Sequence, residues 1–104
     1  MAGAFVYDAS DRNLKDDIQP LENSLERIKR CEGVSFRFKS DPSTQHVGVI
    51  AQDVQPVIPE VVSQNPDGYL SVDYSKITAV LIEAVKEQQT VIEDLKARIE
   101  QLEN

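Results

Sequence analysis

Residues 76–104 read KITAVLIEAVKEQQTVIEDLKARIEQLEN, and this stretch decides the fold because it predicts one long helix. Its apolar and small side chains recur at alternating steps of three and four residues, which is the heptad pattern of a coiled coil. Position a holds Thr78, Val85, Ile92 and Ile99, and position d holds Leu81, Gln88, Leu95 and Leu102. We predict that this helix pairs with copies of itself; the alternative is an amphipathic helix packed only on its own domain.

The heptads leave the number of paired helices open. Isoleucine at a with leucine at d favours a parallel dimer, whereas Ala84 and Val91 at g widen the apolar face and suit three helices. Gln88 is a polar seam residue that would fix the register at some cost in stability. Arg98 at g would face Glu103 at e of a neighbouring chain, a rim ion pair that contributes little by itself.

The residues before the long helix predict a small α+β body. Residues 21–28 carry apolar side chains at helical spacing, and Gly33 is expected to stop that helix. Residues 34–39 alternate between apolar and polar side chains, which is typical of a half-buried strand. A turn at Asp41-Pro42-Ser43 should lead into a second strand at 46–50 and so form a hairpin.

Three further short elements are expected before the long helix: a helical turn at 51–55 and strands at 60–63 and 69–72. The two strands flank Asn65-Pro66-Asp67-Gly68, a turn signal with glycine where a positive φ is needed. Asp73 or Ser75 should then cap the long helix, because a side-chain oxygen at that position accepts from a free backbone N–H.

Composition excludes several classes of function. The chain has 104 residues and a formal net charge of −7, which argues against a broad surface for nucleic acid or an anionic membrane. Cys31 and His46 are the only residues of their types, so an intrachain disulfide and a multi-histidine metal site both lack parts. Residues 1–9 carry a possible strand at 4–7 and have no signal-peptide pattern. No apolar run approaches the ~20 residues of a membrane span.

Ser10 and Lys15 place a hydroxyl and an amine five residues apart. An uncharged lysine can accept the proton of an attacking serine, provided that the amine is desolvated. The two side chains meet only if the chain bends at Arg12-Asn13. Otherwise both are ordinary solvated residues of a loop. Asp11 is interpreted as a turn-forming residue or a partner of Arg12 rather than as part of the chemistry.

Several motifs occur in a recognisable order: residues 9–15 (ASDRNLK), 34–39 (VSFRFK), 47–54 (VGVIAQDV), 58–62 (IPEVV) and 72–74 (VDY) before the long helix. In this order they resemble the C-terminal intramolecular chaperone domain of phage tail spikes and tail fibres. That family of self-cleaving peptidases is typified by endosialidase tailspikes and also occurs in the eukaryotic myelin regulatory factor. The resemblance covers the chain from residue 10 to its end.

The resemblance implies a homotrimer of α+β bodies with a long C-terminal coiled-coil helix, and autoproteolysis at the Ala9–Ser10 bond. Ser10 would be the nucleophile and Lys15 the base. The implied organisation is an upstream region or tag at 1–9, a chaperone and autoprotease body at 10–75, and a coiled-coil helix at 76–104. The implied trimer seam consists of Leu81, Val85, Gln88, Ile92, Leu95, Ile99 and Leu102.

The expected function is an intramolecular chaperone that trimerises, assists folding of an upstream fibre or spike in the same precursor, and then releases itself. Its partners would be its own copies and the upstream domain, without nucleic acid, membrane, metal or cofactor. The place would be the host cytoplasm during virion assembly, with the upstream product in the virion tail. Gln52, or a backbone amide near Gly48, is a candidate donor to the oxyanion. For Gln52 the sequence favours the alternative, a structural role in which it caps or bridges the hairpin.

Three alternatives stay open. The first is a non-cleaving trimerisation module with the same body. The second is a small oligomeric adaptor whose coil recruits a partner. The third is the membrane-bound transcription-factor version of the module, in which the cut frees an upstream factor.

Overall fold

The computed structural model describes residues 9–104; the predicted strand at 4–7 and most of the proposed upstream region lie outside the described residues. Three α-helices occur in the described part: α1 (Ser24–Lys29), α2 (Ala51–Val54) and α3 (Tyr74–Glu103). Four strands accompany them: β1 (Val34–Phe38), β2 (Asp41–Gly48), β3 (Val62–Gln64) and β4 (Leu70–Val72). Short 3-10 turns lie at Arg12–Leu14 and Pro59–Val61. The fold is α+β with short antiparallel strands and a long C-terminal helix, as predicted.

Strands β1 and β2 form the first predicted hairpin, with Phe36 opposite His46 and Phe38 opposite Asp41. The predicted turn at residues 41–43 is wrong, because these residues already belong to β2 and the chain reverses at 39–40. A register shift between Phe36 and Phe38 brings Asp41 into the pairing. Proline is tolerated at position 42 because β2 has a partner on one side only.

The second predicted hairpin is confirmed by β3 and β4, in which Val62 lies opposite Val72 and Gln64 opposite Leu70. Gly68 in the connecting turn has φ +92°, a conformation that side-chain-bearing residues rarely adopt.

Helix α1 ends earlier than expected. Its cap is Arg30, whose N–H donates to Arg27 O in a tightened last turn, so Gly33 is not the residue that stops it.

The core is small and lies where the long helix meets the body. Val54, Ile58, Val61 and Val80 are each at most 4 % exposed. They come from α2, the residues that follow it, the second 3-10 turn and α3. Half-buried side chains complete the cluster, among them Ile28, Cys31, Val49 and Ile77. This core fixes only the beginning of α3, because the last fully buried residue of that helix is Ala84.

Helix α3 begins as predicted at an aspartate cap, since Asp73 Oδ1 accepts from Ser75 N–H at 3.0 Å. Two stripes run along it, offset by a single residue. The body-facing stripe consists of Ile77, Val80, Ala84 and Glu87, which are buried or half-buried. The seam stripe holds the heptad positions, and its apolar members from Leu81 onward are 42–87 % exposed. Ala84 was expected at position g to widen the apolar face toward neighbouring helices, but it is 2 % exposed and packs within its own chain.

Candidate self-processing site

A single 3-10 turn at Arg12–Leu14 shapes the N-terminal segment of the described chain. Asp11 caps this turn, because its Oδ1 accepts from Asn13 N–H at 2.8 Å. Lys15 N–H closes the turn by donating to Arg12 O at 3.1 Å. The chain therefore bends at Arg12-Asn13, which is the condition for contact between Ser10 and Lys15, and Asp11 is a turn-forming residue.

The bend brings the hydroxyl of Ser10 and the amine of Lys15 together: Lys15 Nζ donates to Ser10 Oγ at 2.8 Å. This distance is what a nucleophile and its base need. Both side chains are exposed in the single chain, so water reaches the pair. To act as a base, the amine would have to present an unprotonated nitrogen to the hydroxyl hydrogen. The geometry thus supplies proximity, and the single chain leaves the amine solvated.

Neither Gln52 nor Gly48 makes a hydrogen bond with Ser10 or Lys15 within residues 9–104. Gln52 lies in α2 and lines a groove of about 520 Å³ between the two hairpins, beside Phe38 and Tyr69. Their role as oxyanion donors stays a prediction.

Packing explains why position 48 is a glycine. A Cβ built on it would lie 2.5 Å from the Oη of Tyr74, the first residue of α3. The neighbouring Val49 N–H donates to that same Oη at 3.1 Å, so this backbone amide already has a partner. Gly48 therefore lets the start of α3 approach the first hairpin.

Cys31 and His46, the other two reactive side chains of the body, pack against their neighbours. Desolvation raises the pKa of the Cys31 thiol, against a lowering effect of Arg27 and Arg30, so the nucleophilic thiolate is disfavoured. His46 is half-buried beside two aromatic rings, stacked on Phe36 with ring centroids 5.6 Å apart. Residues 9–104 hold no group of three or more histidine, cysteine or acidic side chains that could bind a metal ion. Across the same residues, no helix combines the length and apolar character needed to cross a bilayer.

The second half of α3 presents an unpaired apolar strip. Ile92, Leu95 and Ile99 are each at least half exposed and line one shallow groove of about 480 Å³ along the helix. Exposed apolar strips of this kind mark interaction surfaces. In the single chain, Arg98 pairs with Asp94 of its own helix at 3.1 Å rather than with Glu103 of a neighbour.

Sequence reasoning missed Glu87, which accepts two backbone hydrogen bonds from the start of α1. The signal was available in the spacing of Ile77, Val80, Ala84 and Glu87. These residues follow the same steps of three and four as the seam, displaced by one position, so they mark a second face of the helix.

A compact α+β body that carries a long helix with an exposed heptad strip has the architecture of a small assembly domain. Residues 10–63 match the peptidase family S74, described as the chaperone of endosialidase, and the chain belongs to this family. The matched region begins at Ser10.

The curated relatives are long tail fibre proteins of phages. The chain is 38% identical over 100 residues to the long tail fiber protein Gp37 of Enterobacteria phage M1, which covers 88% of this chain and 40% of that protein. Identity to the protein of the same name from Enterobacteria phage K3 is 32% over 102 residues, or 90% of this chain and 8% of the relative. For Salmonella phage S16 it is 30% over 106 residues, or 92% of this chain and 14% of the relative. The chain thus spans only a minor part of the relatives it matches.

Proposed function

We propose that this chain is the assembly chaperone of a phage tail fibre, which trimerises and then cuts itself away at the Ala9–Ser10 bond. The family membership and the tail-fibre relatives support the chaperone role. The hydrogen bond of 2.8 Å between Ser10 and Lys15 is the observation that carries the cleavage step.

The cleavage would begin with attack of Ser10 Oγ on the carbonyl carbon of Ala9, while the hydroxyl proton passes to a neutral Lys15 amine. The tetrahedral intermediate then breaks its C–N bond, and the amino nitrogen of Ser10 takes the proton back. The product is an ester between Ala9 and the serine oxygen. Water, activated by the same amine, hydrolyses that ester and frees the upstream chain. Because the attacking and attacked groups are adjacent in one chain, proximity needs no separate binding of substrate.

Assembly would switch this chemistry on. The side chain of Lys15 is exposed to water in the single chain. Packing of three bodies around the coil would remove that water, and desolvation favours the neutral amine that can act as base. Cleavage would then follow, rather than precede, the correct association of three chains.

The benefit to a fibre follows from topology. Long β-rich fibres pair segments that are distant in sequence or belong to different chains, and such pairing is slow. A trimeric clamp at the C-terminus raises the effective concentration of the three upstream ends. Removing the clamp afterwards leaves the mature fibre kinetically trapped. In this proposal residues 1–9 belong to the upstream product, 10–75 form the chaperone body and 76–104 the coil, and the reaction occurs in the host cytoplasm.

Mass spectrometry of four proteins tests the proposal: wild type, Ser10→Ala, Lys15→Arg and the matched control Lys39→Ala in the first hairpin. Wild type and control should lose residues 1–9, whereas the other two should stay intact. Arginine keeps the charge but cannot act as a base, so Lys15→Arg should slow cleavage by at least ~100-fold. An intact wild-type trimer would instead identify a non-cleaving trimerisation module.

A further inference from the structure

Helix α1 lacks a cap from its own sequence. Its N-cap residue, Asn23, has a left-handed backbone with φ 57° and makes no side-chain hydrogen bond to the helix. The first N–H groups of a helix need acceptors, and these normally come from the N-cap side chain. The start of α1 is therefore completed by something distant in the chain.

Glu87 of α3 supplies both acceptors. Its Oε2 accepts from Ser24 N–H at 2.9 Å and its Oε1 accepts from Leu25 N–H at 3.2 Å. A carboxylate at a helix N-terminus also gains from the helix dipole, and hydrogen bonds to a charged acceptor are the strong kind. Ser24 is completely buried, which indicates close contact at this junction.

The other end of α1 is held independently. Arg27 Nε donates to Val57 O at 3.2 Å, and the same guanidinium forms an ion pair with Glu60. Loss of the Glu87 carboxylate would consequently free the beginning of α1 while its end stays attached to the body.

Glu87 lies between the two functional parts of the molecule. It is the last member of the body-facing stripe and is followed directly by Gln88 of the seam stripe. On the other side, the helix start that it holds follows the exposed segment 10–22, which carries Ser10 and Lys15. The carboxylate thus ties the long helix to the start of α1, the point where the segment that bears the reacting pair joins the body.

We propose that Glu87 is a positioning residue for self-cleavage: it transmits the placement of α3 within the trimer to the segment that carries Ser10 and Lys15. This inference rests on the proposed function. It assigns Glu87 no contact with the reacting atoms; the residue acts by fixing where the segment leaves the body.

The test compares the cleavage rate and sedimentation of wild type, Glu87→Ala, Glu87→Gln and Glu83→Ala. Glu83 lies one turn earlier and pairs only with the neighbouring surface residue Lys86, so it is the matched control. Glu87→Ala should remain trimeric and cleave at least about tenfold more slowly, because small misplacements of reacting groups cost rate steeply. Glu87→Gln keeps the shape and one acceptor oxygen, so it should fold normally and cleave at an intermediate rate. Glu83→Ala should match wild type.

A stability control separates positioning from loss of helix stability. Ile28→Val removes one methyl group from the core-facing side of α1 and lowers the melting temperature without touching the carboxylate. It should cleave at the wild-type rate well below its melting temperature. Equal slowing by Ile28→Val, or wild-type cleavage by both Glu87 variants, would overturn the inference and leave the proposed function intact. Absence of cleavage in wild type would overturn both.

Discussion

The two halves of helix α3 have the same apolar periodicity but different surroundings. In the first half, Val80 and Ala84 are 4 % and 2 % exposed because they pack on the body. In the second half, every residue from Gln88 onward is exposed, including Ile92 and Leu95. Within residues 9–104, the packing contacts that fix the long helix against the body are made by its first half.

One helix thus carries two stripes separated by a one-residue offset, and in the described residues the first of them packs on the body. The body-facing stripe ends at Glu87, and its next position, Val91, is 50 % exposed. The seam stripe continues to the end of the helix with no partner in the described chain. In proteins, a helix gains most of its stability from the packing of its apolar face against other parts of the structure. We therefore expect the second half to depend on other copies of the chain, and the following substitutions test that contrast.

The largest effect is expected from Leu95→Asp combined with Ile99→Asp in the second half. These changes would place unpaired charges in the centre of the proposed coil, and a buried unpaired charge costs several kcal/mol. Sedimentation should show complete loss of the oligomer, while circular dichroism should show that the body stays folded. Cleavage at the Ala9–Ser10 bond should slow in parallel.

Ala97→Asp is the matched control, because position f lies outside the seam. It should assemble and cleave like wild type. A monomeric double variant that cleaves at the wild-type rate would contradict the coupling between assembly and cleavage.

The second prediction compares the two halves directly with Val80→Ala and Val91→Ala, both made in the assembly-deficient background. Val80 belongs to the body-facing stripe and is 4 % exposed, whereas Val91 follows the same spacing beyond the end of that stripe and is 50 % exposed. Urea denaturation should show a loss of about 2 kcal/mol for Val80→Ala, from the burial of a valine side chain and the cavity it leaves. Val91→Ala should change the free energy of unfolding by less than ~0.5 kcal/mol. Equal losses would mean that the second half packs on its own body.

A smaller effect is expected at the start of α3, from Gly48→Ala. The added methyl group would meet Tyr74 Oη at 2.5 Å and Phe36 Cε1 at 3.2 Å. Because the closest atom is the end of a side chain that can shift, we expect a cost of about 1 kcal/mol, the lower end of the range for overpacking. In the Tyr74→Phe background the closest clash is absent, so the same substitution should cost less. A double-mutant cycle of unfolding free energies measures the difference. Additive costs would show that the hairpin does not hold the helix start through this contact.

The smallest effect concerns pH and Glu60, whose ion pair with Arg27 anchors α1. A hydrogen bond from its own backbone, helped by Arg27, holds the pKa of Glu60 below its ordinary value of 4.5. The charged form is thus favoured in the folded state, so this stabilisation is present above pH 4.5 and lost as the pH falls through the lower folded-state pKa. Because Glu60 is largely solvent-exposed, we expect less than ~1 kcal/mol.

Urea denaturation of wild type and Glu60→Gln at pH 7 and pH ~3 measures this contribution. Wild type should be the more stable protein at pH 7, and the difference should shrink at the lower pH. A constant difference at both pH values would exclude the carboxylate charge as its cause.

Local rules explain which elements could be predicted from the sequence. Gly68 and the turn around it, the Asp73 cap and both hairpins depend on residues close together in the chain. The errors have non-local causes. The turn was predicted at residues 41–43, but a register shift in the hairpin places the reversal two residues earlier. Ala84 was expected to widen the face between helices and instead packs on its own body, because heptad spacing does not say which partner a face meets.

For the candidate site, the residue types of Ser10 and Lys15 were evident from the sequence, and the bend between them is local. The 3-10 turn and the Asp11 cap realise that bend with contacts spanning only a few residues. Glu87 was not predictable from its neighbours, because its partners, Ser24 and Leu25, lie more than 60 residues away.

Periodicity, turn residues and caps act over a few residues, so the long helix, its heptad spacing and the order of the hairpins could be predicted from the sequence alone. Only the tertiary structure decided which stripe of the helix faces the body and where the start of α1 finds its acceptors. Both depend on side chains that meet after the chain has folded back on itself. The spacing of residues along the helix marks a second face, but the local pattern does not say what that face contacts.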